Sequence, residues 1–297
     1  MFADKPFWQK MLITLIVIFV GFCLTMFVFA TIAAFIYPQE VLSGQIPTNV
    51  YMLRVLQTLQ SFFVFIFPTL LIAFWFSFDP KEYLFLTQRN KLTLCLLVIL
   101  SGILFIPFIN WLAYWNMQMK LPEALTSVEN WMMDKEKEIE KVMTVLLQMD
   151  SFGIFLFNLF LIAFLAAIGE EFLFRGIIQR LFITLTRNFH ASIWLSAFIF
   201  SVIHMQFYGF LPRLLLGAYF GYLLWWTKSL WIPVLAHFIH NAIAVLISYL
   251  EQQKLISSKW ETIGANDDIW LVVCSFVIFG LFFWIIYRQR INHESLE

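Results

Sequence analysis

Residues 152–182 read FGIFLFNLFLIAFLAAIGEEFLFRGIIQRLF. The first eighteen, 152–169, carry no ionisable side chain; Glu170, Glu171 and Arg175 then follow within six positions. An apolar run of this length matches the ~20 residues that a helix needs to cross a hydrocarbon core. The pattern is continuous rather than alternating, which argues for a helix over a barrel strand, and lipid admits only those two because every backbone group must be satisfied internally.

The rest of the chain agrees. Of 297 residues 61% are apolar and 13% charged, with 36 Phe and 12 Trp, and the mean hydropathy is +0.81. So few charges cannot cover a water-facing surface around that much apolar material. Formal net charge is zero and the pI is near 7.0, which gives no electrostatic footprint for nucleic acid. Eight runs qualify as spans: 11–37, 61–78, 92–116, 152–182, 191–208, 210–226, 230–250 and 269–287. The second has an apolar extension back to Asn49. The expected fold is therefore all-α, a polytopic membrane helical bundle of about eight transmembrane helices with membrane lipids as its surroundings. The first run exceeds a secretory h-region and lacks a small-residue cleavage site, so it is expected to be retained.

One polar island, 118–150, separates the third and fourth runs. Within it Trp131, Met132, Ile139, Val142, Met143, Leu146 and Leu147 recur at helical spacing opposite the alternating charges of 134–141, which predicts an amphipathic helix. The chain divides into 1–150, N-terminal spans plus the amphipathic segment; 151–250, a core that holds the intramembrane polar residues; and 251–297, a last span and tail. Cys23, Cys95 and Cys274 are far apart inside apolar runs and read as small buried residues. One set of span ends holds ten basic residues, among them Lys5, Lys10, Lys81, Arg180, Lys228 and Arg290, against eight at the other, where the island also brings seven acids. The excess places both termini in the cytoplasm.

Ionisable side chains inside spans cost several kcal/mol unless paired or hydrated, so each is a candidate functional residue. They concentrate in three runs: Glu170, Glu171 and Arg175; His204; and His237, His240 and Asn241. Glu171 and Arg175 share a helix face, as do Phe200 with His204 and His237 with Asn241. At ~1.5 Å per residue from a common face, Glu170 lies roughly 18 Å deep, His204 about 20 Å, His237 about 11 Å and Asn241 about 17 Å. Agreement in depth across separate spans is most simply explained by one buried polar chamber.

A carboxylate and an imidazole facing a trapped water can deprotonate it. A second imidazole and an amide can hold the oxygen that becomes negative as a carbonyl is attacked. No Ser, Thr or Cys nucleophile stands out in the cluster, so activated water is favoured over a covalent route. Glu170, His204 and His237 are also a ligand set for a divalent metal such as zinc, although no HExxH arrangement is present. The metal-free version is preferred because two of the groups serve better as oxyanion donors.

Three motifs in order, Glu170-Glu171-Phe172-Leu173-Phe174-Arg175-Gly176, the FxxxH of Phe200 and His204, and Ser229-Leu230-Trp231-Ile232-Pro233 leading into the HxxxN of His237 and Asn241, resemble the CAAX-protease and bacteriocin-processing (CPBP, or Abi) family of intramembrane proteases, which includes the type II CAAX prenyl endopeptidases. The resemblance implies that Glu170 and His204 activate water, that His237 and Asn241 hold the oxyanion, and that Glu171 and Arg175 support the site. It implies an intramembrane endopeptidase acting on a membrane-associated peptide or protein, in a bacterial inner membrane on compositional grounds, with CAAX processing itself not implied. The competing expectation is a non-proteolytic membrane protein: a proton-coupled transporter, or a bacteriocin-immunity or binding scaffold whose motif residues line a passage or grip a partner.

Overall fold

The computed structural model describes residues 2–44, 49–257, 262–265 and 269–289, so Lys259, Arg290 and His293 lie outside the described residues. These residues are helical with no strand among them. Ten principal helices follow in order: α1 (Phe7–Ile36), α2 (Val50–Phe76), α3 (Leu92–Leu104), α4 (Ile106–Met117), α5 (Thr126–Leu146), α6 (Phe152–Thr186), α7 (Phe189–Ile203), α8 (Phe210–Thr227), α9 (Trp231–Gln252) and α10 (Ile269–Arg288). Six of these, α1, α2, α6, α8 (with the turn before it), α9 and α10, are long and apolar enough to cross a membrane; counting the bent pair α3 and α4 as one span gives seven.

The expected eight therefore becomes six or seven, and two local causes account for the difference. Run 92–116 is broken at Phe105 with a 40° bend, where Pro107, in the first turn of α4, has no N–H to continue the ladder. Run 191–208 folds as the 15-residue α7, roughly 22 Å long, and stops short of a ~30 Å core. Beyond α7 the chain leaves α-helical geometry at Met205, φ +54°, and passes through a 3-10 turn over Phe207–Gly209 before α8 turns back. Non-helical backbone at that depth is tolerated only where protein buries it or water reaches it.

Local sequence explains the helix limits. Asn49 caps α2 by accepting Met52 N–H, Ser151 caps α6 through Ile154 N–H, and Asn188 caps α7 through His190 and Ala191 N–H. The amphipathic segment is α5, as expected, and its Trp131 ring lies 5.3 Å from that of Phe207. Three π-helical stretches interrupt the long helices: Ser61–Ile66 in α2, and Leu159–Leu165 and Phe174–Ile178 in α6. The last two flank the turn that carries Glu170 and Glu171 and re-aim side chains there.

Helices α7 and α8 pack closely because Gly217 offers no side chain; a Cβ there would sit 3.1 Å from that of Ala197. One end of the bundle is fixed by main-chain contacts: Phe2 N–H to Trp75 O, Arg180 to Tyr83 O, and Leu230 N–H to Phe85 O, with the rings of Trp226 and Tyr287 5.3 Å apart. The start of α1 and the end of α10 thus lie at the same end as Lys10, Arg180 and Lys228. Cys23 and Cys274 are exposed on outward faces of apolar helices and Cys95 is half-buried against the core, so the expectation that all three are buried is corrected for the first two: an apolar run marks a span, not which of its faces meets protein.

Candidate active site

Five of the six expected residues, Glu170, Glu171, Arg175, His204 and His237, come together in two layers, while Asn241, one turn after His237 on α9, is bonded to the α6 backbone. In the inner layer Glu171 is fully buried on α6. Its Oε1 accepts the Nδ1–H of His237 at 2.8 Å, and its Oε2 lies 3.0 Å from Arg175 Nε, an ion pair whose N–H points off the line of a hydrogen bond. Arg175, one turn on, donates Nη2 to Gly217 O at 2.9 Å and sits over the rings of Phe200 and Phe220 at 4.7 and 5.4 Å. The missing side chain of Gly217 thus serves twice, in helix approach and in leaving its carbonyl within reach of the guanidinium.

In the outer layer Glu170 Oε2 lies 3.8 Å from His204 Nε2 and 3.8 Å from His237 Nε2. The side chains of Glu170 and His204 are 16% and 27% exposed, against 6% for His237, so this layer is the accessible one. His204, expected within a span, is instead the residue that ends α7. Its Nδ1 lies 2.6 Å from Phe200 O. A carbonyl only accepts, so Nδ1 carries the proton, and the same reasoning applies to His237 Nδ1 against the Glu171 carboxylate. In neutral imidazoles both Nε2 atoms are then acceptors, and they face a third acceptor, the Glu170 carboxylate. Three acceptors at these separations call for a proton or a donor between them. A water placed ~2.8 Å from two of them satisfies both with its own hydrogens.

The His237 ring is fixed by stacking on Phe220, centroids 5.0 Å apart at 16°. Asn241 donates Nδ2 to Ile162 O at 3.3 Å, so one N–H of its amide is tied to a π-helical stretch of α6. His240 is within Coulomb reach of His237 and of Arg213.

The separations around Glu170 are wider than a closed zinc ligand set requires. Ligands ~2.05 Å from a tetrahedral zinc stand about 3.4 Å from one another, shorter than both 3.8 Å separations. Among the described residues no group of three or more His, Cys, Asp or Glu has metal-holding geometry.

Several contributors were not singled out from the sequence. The loop 204–209 is pinned by Asn116, which donates to Phe207 O at 3.3 Å and accepts from Leu211 N–H at 2.8 Å, and by Ser201 Oγ on Phe210 O at 2.7 Å. Tyr208 N–H reaches Glu136 of α5 at 3.3 Å. Asn116 carries no sequence signal beyond being polar at the end of an apolar run; Phe220 and Gly217 carry none.

Comparison with known proteins bears on the same segment. Residues 152–243 match the family described as type II CAAX prenyl endopeptidase Rce1-like. A Bacillus subtilis (strain 168) protein named "Putative membrane peptidase YdiL" is 26% identical over 217 residues, covering 71% of this chain and 82% of that protein. A second protein of the same organism, YpbD, named as uncharacterized, is 28% identical over 90 residues, 29% of this chain and 43% of its own length. No solved structure matches at the same stringency. The matched segment holds all six site residues, and over it this integral membrane protein is similar to the type II CAAX prenyl endopeptidase Rce1-like family.

Proposed function

We propose that this chain is an intramembrane endopeptidase that hydrolyses a peptide bond of a membrane-associated substrate with water activated by Glu170 and His204. The observation that carries the reading is the convergence of Glu170 Oε2 with the Nε2 atoms of His204 and His237 at 3.8 Å, each imidazole held by a partner at Nδ1. A water in that space gives one proton to Glu170 as its oxygen attacks the carbonyl carbon. The oxyanion forms against His237 and Asn241. With the Glu171 carboxylate at its Nδ1, an imidazolium at His237 has its counter-ion in place, and Nε2–H is then the donor. Collapse of the tetrahedral species breaks the C–N bond, and the proton held by Glu170, relayed through His204, goes to the leaving amine. Each turnover consumes one water and yields a carboxylate and an amine. Arg175 acts at a distance by fixing Glu171.

The irregular backbone at 204–209 supports the reading, since it brings His204 to a hydrated break rather than into a closed helix. The Phe- and Ile-rich composition favours a bacterial inner membrane, and the distribution of basic residues favours both termini in the cytoplasm. The decisive experiment reconstitutes the protein in liposomes with a library of membrane-anchored peptides and reads products by mass spectrometry. Cleavage lost in both Glu170→Gln and His204→Ala, with both variants folded and inserted, is the expected result. Equal cleavage by the variants, or proton-coupled uptake with no cleavage at all, overturns the proposal.

A further inference from the structure

Arg213 stands in the first turn of α8, four residues after the break that follows His204. Its Nη1 donates to Gln206 O at 3.2 Å and its Nη2 to Gln206 Oε1 at 2.7 Å. Both partners are neutral, and among the described residues no carboxylate lies within 4.0 Å of the guanidinium. Glu136, Glu170, His204 and His240 are its charged or titratable neighbours within Coulomb range. The guanidinium also carries donors beyond the two that Gln206 engages. The Arg213 side chain is half-buried, and its Nε is not among the buried unpartnered nitrogens of the described residues. The backbone around Arg213 is held rather than loose, through Asn116 to Leu211 N–H and Ser201 to Phe210 O.

A fixed cation with no carboxylate of the described residues within 4.0 Å is bonded to Gln206, two residues beyond His204 of the accessible Glu170–His204 pair. Intramembrane charges are retained where a partner completes them. Here no carboxylate of the described residues comes within 4.0 Å, and the group facing the accessible layer during reaction is the substrate. A guanidinium fork is matched to a carboxylate, which it can grip through two parallel N–H bonds. We infer that Arg213 is a specificity-determining residue that receives a carboxylate of the substrate close to the scissile bond, supplied by a free C-terminus or by an Asp or Glu side chain. The inference rests on the peptidase reading above.

The test uses a library of apolar peptides of about 20 residues in detergent micelles. Each is made with a carboxylate or a carboxamide terminus, and with Glu or Gln at positions near that end. Retention is measured on the Glu170→Gln protein, which binds without turnover, and cleavage on the wild type. Carboxylate-bearing members should be retained about tenfold over their neutral twins, and adding Arg213→Gln should collapse the ratio to near one. Arg213→Lys should keep part of it, and Gln206→Ala, which frees the guanidinium but keeps the charge, should keep most. Loss on amidation assigns the terminal carboxylate; loss on Glu→Gln assigns the side chain. No preference at the outset, or a preference that survives Arg213→Gln, overturns the inference. Cleavage without preference removes the role of Arg213 and leaves the peptidase reading intact; preference without cleavage does the reverse. A library neither bound nor cleaved overturns both.

Discussion

His237 Nδ1 lies 2.8 Å from Glu171 Oε1, with both side chains buried, so the imidazole proposed to hold the oxyanion is fixed by a carboxylate that solvent does not reach. That carboxylate also faces Arg175 Nε at 3.0 Å. Removing it as Glu171→Ala leaves Arg175 buried and without its counter-charge, and a broken buried pair costs about 3–5 kcal/mol. Glu171→Gln preserves an oxygen for the His237 N–H while deleting the charge. It should fold with a smaller loss of thermal stability in detergent and slow cleavage about 100-fold. Full activity in a folded Glu171→Gln protein would show that the buried carboxylate does not support His237.

The outer-layer residues should differ in what they cost. Glu170→Gln removes the base itself and should reduce kcat by about 10³-fold or more, while His237→Ala, taking an oxyanion donor, should cost about 10²–10³-fold. Asn241→Ala should combine a rate loss with about 1 kcal/mol of destabilisation, because its amide is already bonded to Ile162 O. Steady-state kinetics and thermal unfolding of the same three variants check the order, and an inert Asn241→Ala protein with unchanged melting would place that amide wholly in the reaction.

Chelation provides an independent check on the 3.8 Å separations around Glu170. Prolonged dialysis against a strong chelator should leave cleavage unchanged. Loss of activity followed by recovery with zinc would mean that the three side chains close by several tenths of an ångström around an ion, and the water-activating roles would then pass to a metal-bound hydroxide.

At Gly217 the prediction concerns the scaffold. A Cβ there would stand 3.1 Å from Ala197 Cβ and 3.2 Å from its Cα, so Gly217→Ala must push α7 and α8 apart. The expected cost is about 1–3 kcal/mol, with weaker seating of Arg175 on the Gly217 carbonyl. Ala197→Gly in the same chain should restore a substantial part of it. A double-mutant cycle in melting temperature reads the coupling, and strict additivity would mean that the two helices do not meet at these residues.

The membrane class and the identity of the converging residues were legible because both follow from local rules. Apolar runs report spans, and the cost of a charge in lipid marks Glu170, His204 and His237. The depth estimate for His204 reached the right neighbourhood by the wrong local structure, since periodicity cannot tell a continuous run from one that stops at Ile203. The break depends on tertiary hydrogen bonds from Asn116 and Ser201, which no window of sequence contains. The partition of the two adjacent glutamates was only half visible: 100° of helix separates them, but which one faces Arg175 and which the accessible layer depends on the π-helical stretches that reset the phase of α6.

The remaining prediction turns on Lys228, which sits 5% exposed at the left-handed end of α8, its Nζ 3.9 Å from the Trp225 ring centroid. Burial, with the like charge of Arg180 adding to it, pushes this ammonium down to about 8 from an ordinary 10.5. Between those two values the unfolded chain binds a proton that the folded one does not, so stability rises as pH increases through that window, and the penalty is fully present below about 8. Lys228→Met keeps the apolar stem over Trp225 and removes the charge. Because the Trp225 ring beneath Nζ offsets part of the cost of burial, the gain at pH 7 should be about 1 kcal/mol rather than the full shift. The stability difference between variant and wild type, measured by thermal unfolding from pH 7 to 10.5, should shrink steadily and close near the upper limit. A difference that stays constant across the range would mean that Lys228 keeps an ordinary affinity for its proton and that Trp225 and its neighbours compensate its burial.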